Sequence, residues 1–147
     1  MLQHLLVPVD GSPTSLKAAH FAADLARLSG AKITLLTAIS TPTMIPLGPI
    51  DGYVASEPFP SGAAMSAIQS LILELERSLG KERVHSTLTE GAADDVVLEA
   101  IEQLHPDLVV IGSRSQGAIA RWVLGSVSTE VVQRSSVPVT VVPFVEV

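Results

Sequence analysis

Short apolar runs alternate with longer stretches of helical period along this chain. Residues 4–10 (HLLVPVD) are almost continuously apolar, which reads as a short strand buried on both faces. Ser12 then offers an N-cap and Pro13 a first helical position. Leu16, Ala19, Ala23 and Ala26 follow at helical spacing, and Gly30 closes the helix. Residues 32–39 (KITLLTAI) predict a second strand. The period is then lost over 40–62, where five prolines (42, 46, 49, 58 and 60) and glycines 48, 52 and 62 predict a long loop. Loops of this length are lids, binding loops or disordered segments.

Helical spacing returns over 63–79, with Ile68, Leu71, Leu75 and Leu79 on one face and Gly80 after it. Residues 83–89 predict a third strand, and Gly91 its turn. Asp94 and Asp95 suit the first turn of a third helix ending near Leu104. Residues 107–112 (DLVVIG) predict the fourth and most apolar strand, and so the central one. A glycine- and serine-rich turn leads into a helical stretch over about 118–134, punctuated by Gly125-Ser126. Residues 138–142 (PVTVV) predict the last strand.

Alternating units with near-continuous apolar strands predict an α/β fold: a parallel sheet with helices on both faces, as one domain over 1–147. Ligands of such sheets bind beyond the carboxyl ends of the strands, at the point where strand order reverses. The ends to watch are Val9-Asp10-Gly11, Thr37-Ala38 and Gly112-Ser113.

Composition narrows the chemistry. The 147 residues are 47% hydrophobic and only 3% aromatic, which suits Ala-rich helices on an aliphatic sheet and not a base-stacking nucleic-acid surface. Nine basic against fifteen acidic residues leave −6, so no broad phosphate-backbone footprint for DNA or RNA is expected. Any bound phosphate must then rest mainly on backbone N–H groups. The absence of cysteine removes thiolate metal sites, disulfides and cysteine nucleophiles, and fits a reducing, cytoplasmic setting. No basic leader precedes the first apolar run, and no run approaches the roughly 20 residues of a spanning helix. Neither export nor a membrane is expected.

The strongest local feature is GSRSQGAIARWVLGSVS, from Gly112 to Ser128. It leaves a buried strand, turns through glycines and reaches Gly125-Ser126 at a helix start, where free N–H groups attract anions. Ser126 and Ser128 add hydroxyls, and Gly125 permits close approach of a phosphate to the backbone. The same run also reads simply as a strand-to-helix turn with its cap.

Three sharper motifs fail. Gly112-x4-Gly117 has P-loop glycine spacing, but Ala118-Ile119 stands where Lys-Ser/Thr is required. A nucleophile elbow at Ser113 to Gly117 needs a later histidine, and the last one is His105. The first turn, Asp10-Gly11-Ser12-Pro13, is no dinucleotide fingerprint. Asp10, at a strand end, is placed either to meet a ligand or to form an Asx turn. The four histidines show no metal spacing, and no metal site is expected. Arg114 and Arg121 flank the glycine turn, as phosphate partners or as solvated surface charges, and Trp122 reads as core packing.

Taken together, VPVDGS (7–12), the Gly91 turn, DLVVIGSR (107–114), LGSVS (124–128) and VPVTVVP (137–143) resemble the universal stress protein family over nearly the whole chain. The resemblance implies a five-stranded parallel sheet of order 3-2-1-4-5, a homodimer formed through the last strand, Val139 to Val142, and a role in stress response. The family's ATP-binding branch carries G-x2-G-x9-G-S/T, which falls here on Gly112, Ser115, Gly125 and Ser126, with Ser115 in place of the second glycine. By resemblance, Pro8, Val9, Asp10 and Ala38 would meet adenine and ribose. The phosphates would meet Gly112, Ser113, Ser115, Gly125, Ser126, Val127 and Ser128. The implied ligand is ATP or a related adenine nucleotide, with or without Mg²⁺. No side chain is placed for efficient phosphoryl transfer, so at most slow hydrolysis is expected. The alternative is a dimeric scaffold of the same fold that binds no nucleotide.

Overall fold

The computed structural model describes residues 1–56, 58–113 and 124–143. Its elements are β1 (His4–Pro8), α1 (Pro13–Ser29), β2 (Lys32–Ile39), β3 (Met44–Pro46), β4 (Tyr53–Ala55), α2 (Gly62–Leu79), β5 (Val84–Glu90), α3 (Ala93–Leu104), β6 (Leu108–Gly112), α4 (Ser126–Arg134) and β7 (Val139–Val142). A 3-10 turn, Lys81–Arg83, joins α2 to β5.

The main sheet runs β5-β2-β1-β6-β7, every pair parallel. Counting its members in chain order gives 3-2-1-4-5, the order that the family resemblance implied. β6 is interior but not central, because β1 holds the middle. Apolarity reports that a strand is covered on both faces, and it does not rank covered strands by position.

Each strand divides its side chains between two cores. Leu5 and Val7 of β1, with Val9 just beyond it, pack with the alanines of α1 and with Ile68, Leu71 and Leu75 of α2. Leu6 points the other way, to Val96, Val97 and Ile101 of α3 and Val131 of α4. α1 presents Ala18, Ala19, Ala22, Ala23 and Ala26, all fully buried, while Leu16 is only half-buried. Small side chains let α1 lie close on the sheet, and the closeness is visible at Gly112. A Cβ there would stand 2.8 Å from Thr14 Cγ2 and 2.9 Å from the Thr14 carbonyl oxygen.

The helix ends follow their sequence signals. Ser12 Oγ accepts from Ser15 N–H and Pro13 opens α1, which closes on Gly30 at φ +80°. Ser61 caps α2, whose buried residues are Ile68, Leu71, Leu75 and Leu79. α4 departs from expectation. Its helical part begins at Ser126, with Leu124 and Gly125 outside the helix. The part predicted over 118–123 lies outside the described residues. The predicted loop 40–62 also departs, since β3 and β4 pair as an antiparallel hairpin within it. Met44, Ile45, Tyr53 and Val54 on that hairpin remain exposed. Among the described residues, no helix is long and apolar enough to cross a membrane.

At the amino end of the sheet, Asp107 Oδ2 accepts from the backbone N–H groups of Gln3 (2.8 Å) and His4 (2.9 Å), tying β6 to β1. These bonds hold the Asp107 carboxyl below its ordinary value. His4 is buried, its Nε2 lying 2.8 Å from Thr34 Oγ1. Burial first, then the Lys32 charge, lowers the His4 imidazole, against an opposing pull from Asp107. The sign follows. Below about pH 6.5 the unfolded chain takes up a proton that the native ring resists, so stability falls as pH drops through that window. Asp107 acts in a separate window, at and below the ordinary carboxylate range. His4→Gln is expected to flatten the fall in urea midpoint between pH 7 and 5.5. An unchanged slope in the variant would assign the effect elsewhere.

Candidate functional site

Beyond the carboxyl ends of β1, β2 and β6 lies a cavity of about 530 Å³, within the range of small-molecule sites. It sits where the strand order reverses, β1 leading away toward β2 on one side and β6 lying on the other.

Its floor is the β1–α1 corner. Val9 N–H bonds to Leu36 O at 2.9 Å, continuing the pairing past the end of β1. Asp10 Oδ1 accepts from Ser12 N–H (2.9 Å), which is the Asx turn, and the residue also lines the cavity. Ser15 Oγ donates to Ser12 O (3.0 Å) and accepts from Asp10 N–H (3.2 Å). The corner is thus rigidly bonded to itself. Gly11 is at φ +82°, and a Cβ on it would stand 2.7 Å from both Cβ and the carbonyl oxygen of Ala64, so the start of α2 lies directly on this turn.

The opposite wall is the first turn of α4. Gly125 occupies the N-cap and gives no side-chain cap. The first helical bond runs from Thr129 N–H to Gly125 O (2.9 Å), so the N–H groups of Ser126, Val127 and Ser128 precede the helical ladder. α1 and α2 have serine caps, whereas α3, whose Ala93 lines the same cavity, has no side-chain cap either. The Ser128 hydroxyl donates to Gly125 O at 3.0 Å, so what Ser128 offers the cavity is its backbone N–H. Ser113 N–H is already bonded to Val142 O at 2.9 Å.

The structure brings Pro8, Val9, Asp10, Ala38, Gly112, Ser113, Gly125, Ser126, Val127 and Ser128 together around this one cavity. Ser115, Arg114, Arg121 and Trp122 lie outside the described residues. Sequence reasoning missed Ser12, Ser15, Leu36, Phe59, Ala93, Val97, Ile111 and Leu124 as lining residues. Leu36 and Ile111 were findable, since each sits on a predicted strand within three residues of its predicted end. Ala93 and Val97 come from α3, whose placement over the sheet has no local signal. Among the described lining residues Asp10 is the only charged side chain, and no cation is present. Nor do the described residues hold a group of three His, Cys, Asp or Glu fit for a metal ion.

Fold and crevice together define a doubly wound α/β domain with a small-molecule pocket at its switch point. The profile of the universal stress protein family matches residues 1–143, and the chain belongs to that family. A universal stress protein of Thermus aquaticus is 28% identical over 145 residues, spanning 97% of this chain and 99% of its own. A universal stress protein solved in complex with cAMP shares the fold at a TM-score of 0.67 and 26% identity, over 96% of each chain. A family member from Arabidopsis thaliana, solved with AMP bound, shares it at 0.63 and 18% identity, over 96% of this chain and 91% of that one.

Proposed function

We propose that this chain binds ATP or a related adenine nucleotide in the crevice above β1, β2 and β6, and acts in stress response as a homodimer in the cytoplasm. One observation carries the reading: a single cavity joins aliphatic walls at Leu36, Ala38 and Val97 to an α4 N-terminus without a side-chain cap. The first suits the faces of a flat base and the second a phosphate. The relative solved with cAMP supports the same ligand class. Asp10 lines the same cavity, and Mg²⁺ would offset the charge of a triphosphate bound beside it. The dimer would form through β7, an edge strand whose Val139 and Val141 are only half-buried in one chain. Residues 1–147 would make up one domain of this kind.

The second reading, a dimeric scaffold without nucleotide, draws on Ser115 at the second motif glycine. Calorimetry with AMP, cAMP and ATP·Mg²⁺ on wild type and Ser115→Gly separates the two. Saturable heat in wild type is expected for at least one nucleotide. Silence in wild type with heat only in Ser115→Gly would replace the nucleotide reading by the scaffold.

A further inference from the structure

Among the described residues lining the cavity, Phe59 is the one aromatic side chain, and the other apolar ones are aliphatic. Its side chain is not part of either core, and the residue is 48% exposed. An exposed ring on a proline-rich segment is ordinarily unremarkable surface. This one is held in place from both sides. Ser40 N–H donates to Phe59 O at 2.8 Å and Phe59 N–H to Ser40 O at 3.3 Å, an antiparallel bridge just past the end of β2. On the other side Pro60 is buried, and Ser61 caps α2 by accepting from Ala64 N–H at 3.2 Å. Ala64 in turn lies against Gly11 at the cavity floor.

The bridge fixes which end of the cavity the ring serves. Ser40 is two residues beyond Ala38, at the β2 side of the crevice, away from the α4 N-terminus where phosphate would lie. A flat, apolar ring there has a partner available in the π-face of a nucleotide base. We infer that Phe59 is the specificity-determining residue for the base, stacking on a purine and favouring nucleotides over base-free phosphates; this rests on the nucleotide reading above. Stacking needs a planar face, so a branched aliphatic side chain of similar bulk does not replace it.

The test compares wild type with Phe59→Ala, Phe59→Leu and Phe59→Tyr, using calorimetry with AMP and the emission of 2-aminopurine riboside monophosphate, which is quenched on stacking. AMP affinity is expected to fall about tenfold in the Ala and Leu variants and to be retained in Tyr, with quenching lost and retained in the same pattern. Melting temperatures should stay together, because the ring packs in neither core. Wild-type binding with equal affinity in Phe59→Ala overturns the inference and leaves the nucleotide site standing. A Tyr variant as weak as Ala, or parallel losses of melting temperature, overturns it as well. Wild type that binds no nucleotide overturns both.

Discussion

Gly11→Ala is expected to lower the melting temperature by about 10 °C. Two costs meet at that position. The backbone is at φ +82°, where an L side chain costs roughly 1–2 kcal/mol. The new Cβ would also stand 2.7–2.8 Å from Cβ, O and Cα of Ala64, so overlap adds roughly 1–3 kcal/mol. Together they amount to about 3 kcal/mol, at roughly 3 °C for each in a domain of this size. Two other glycines separate the terms. Gly30, at φ +80° with nothing within 4 Å of a built Cβ, carries only the conformational cost. Gly112 lacks a positive φ and meets Thr14 at 2.8–3.0 Å, so it carries only the overlap. Gly11→Ala should therefore melt lowest of the three. Removing the facing methyl by Ala64→Gly should not rescue it, since Ala64 O and Cα remain in the way. Equal melting of the Gly11 and Gly30 variants would show that α2 yields freely at the cavity floor.

The same comparison explains what was legible in the sequence. Gly11, Gly30 and Gly112 are equally visible as letters. Gly30 alone declares its role locally, as a helix end after a run of helical period. The reason for Gly11 lies at Ala64 and the reason for Gly112 at Thr14, contacts made only once the sheet is assembled. Ser12, Pro13 and the Ile68 to Leu79 stripe were readable because caps and helix faces are set within a few residues. The β3–β4 hairpin was not, since two exposed strands of three residues each are too short to carry a period. Phe59 was missed for a related reason. Its place at the cavity comes from a bridge to Ser40 across the hairpin, and nothing in its neighbours announces that pairing. The described strand-end residues among those expected, Pro8 to Asp10, Ala38, Gly112 and Ser113, line one cavity because strand ends of a parallel sheet share one edge, a consequence of topology that needs no exact register.

Gly125→Asp is expected to weaken nucleotide binding at least a hundredfold while leaving the melting temperature unchanged or slightly raised. Gly125 is the N-cap of α4 at φ −67°, ψ 168°, extended backbone that any residue adopts. Aspartate is among the best N-cap residues, and it would accept from the N–H of Val127 or Ser128 and favour the positive end of the helix dipole. The fold therefore gains a cap, by a few tenths of a kcal/mol over glycine. A phosphate needs those same donors. With them taken, the ligand loses charge-assisted hydrogen bonds of roughly 1.5–3 kcal/mol each and meets a second carboxylate in a cavity that already holds Asp10. Stability and affinity thus move in opposite directions, which damage to the fold does not produce. Gly125→Asn, a cap without the charge, should fall between the two. Thermal melts and AMP calorimetry on the three proteins check the order. Undiminished binding in Gly125→Asp would move the phosphate away from α4, and a joint loss of stability and binding would reduce Gly125 to a packing position.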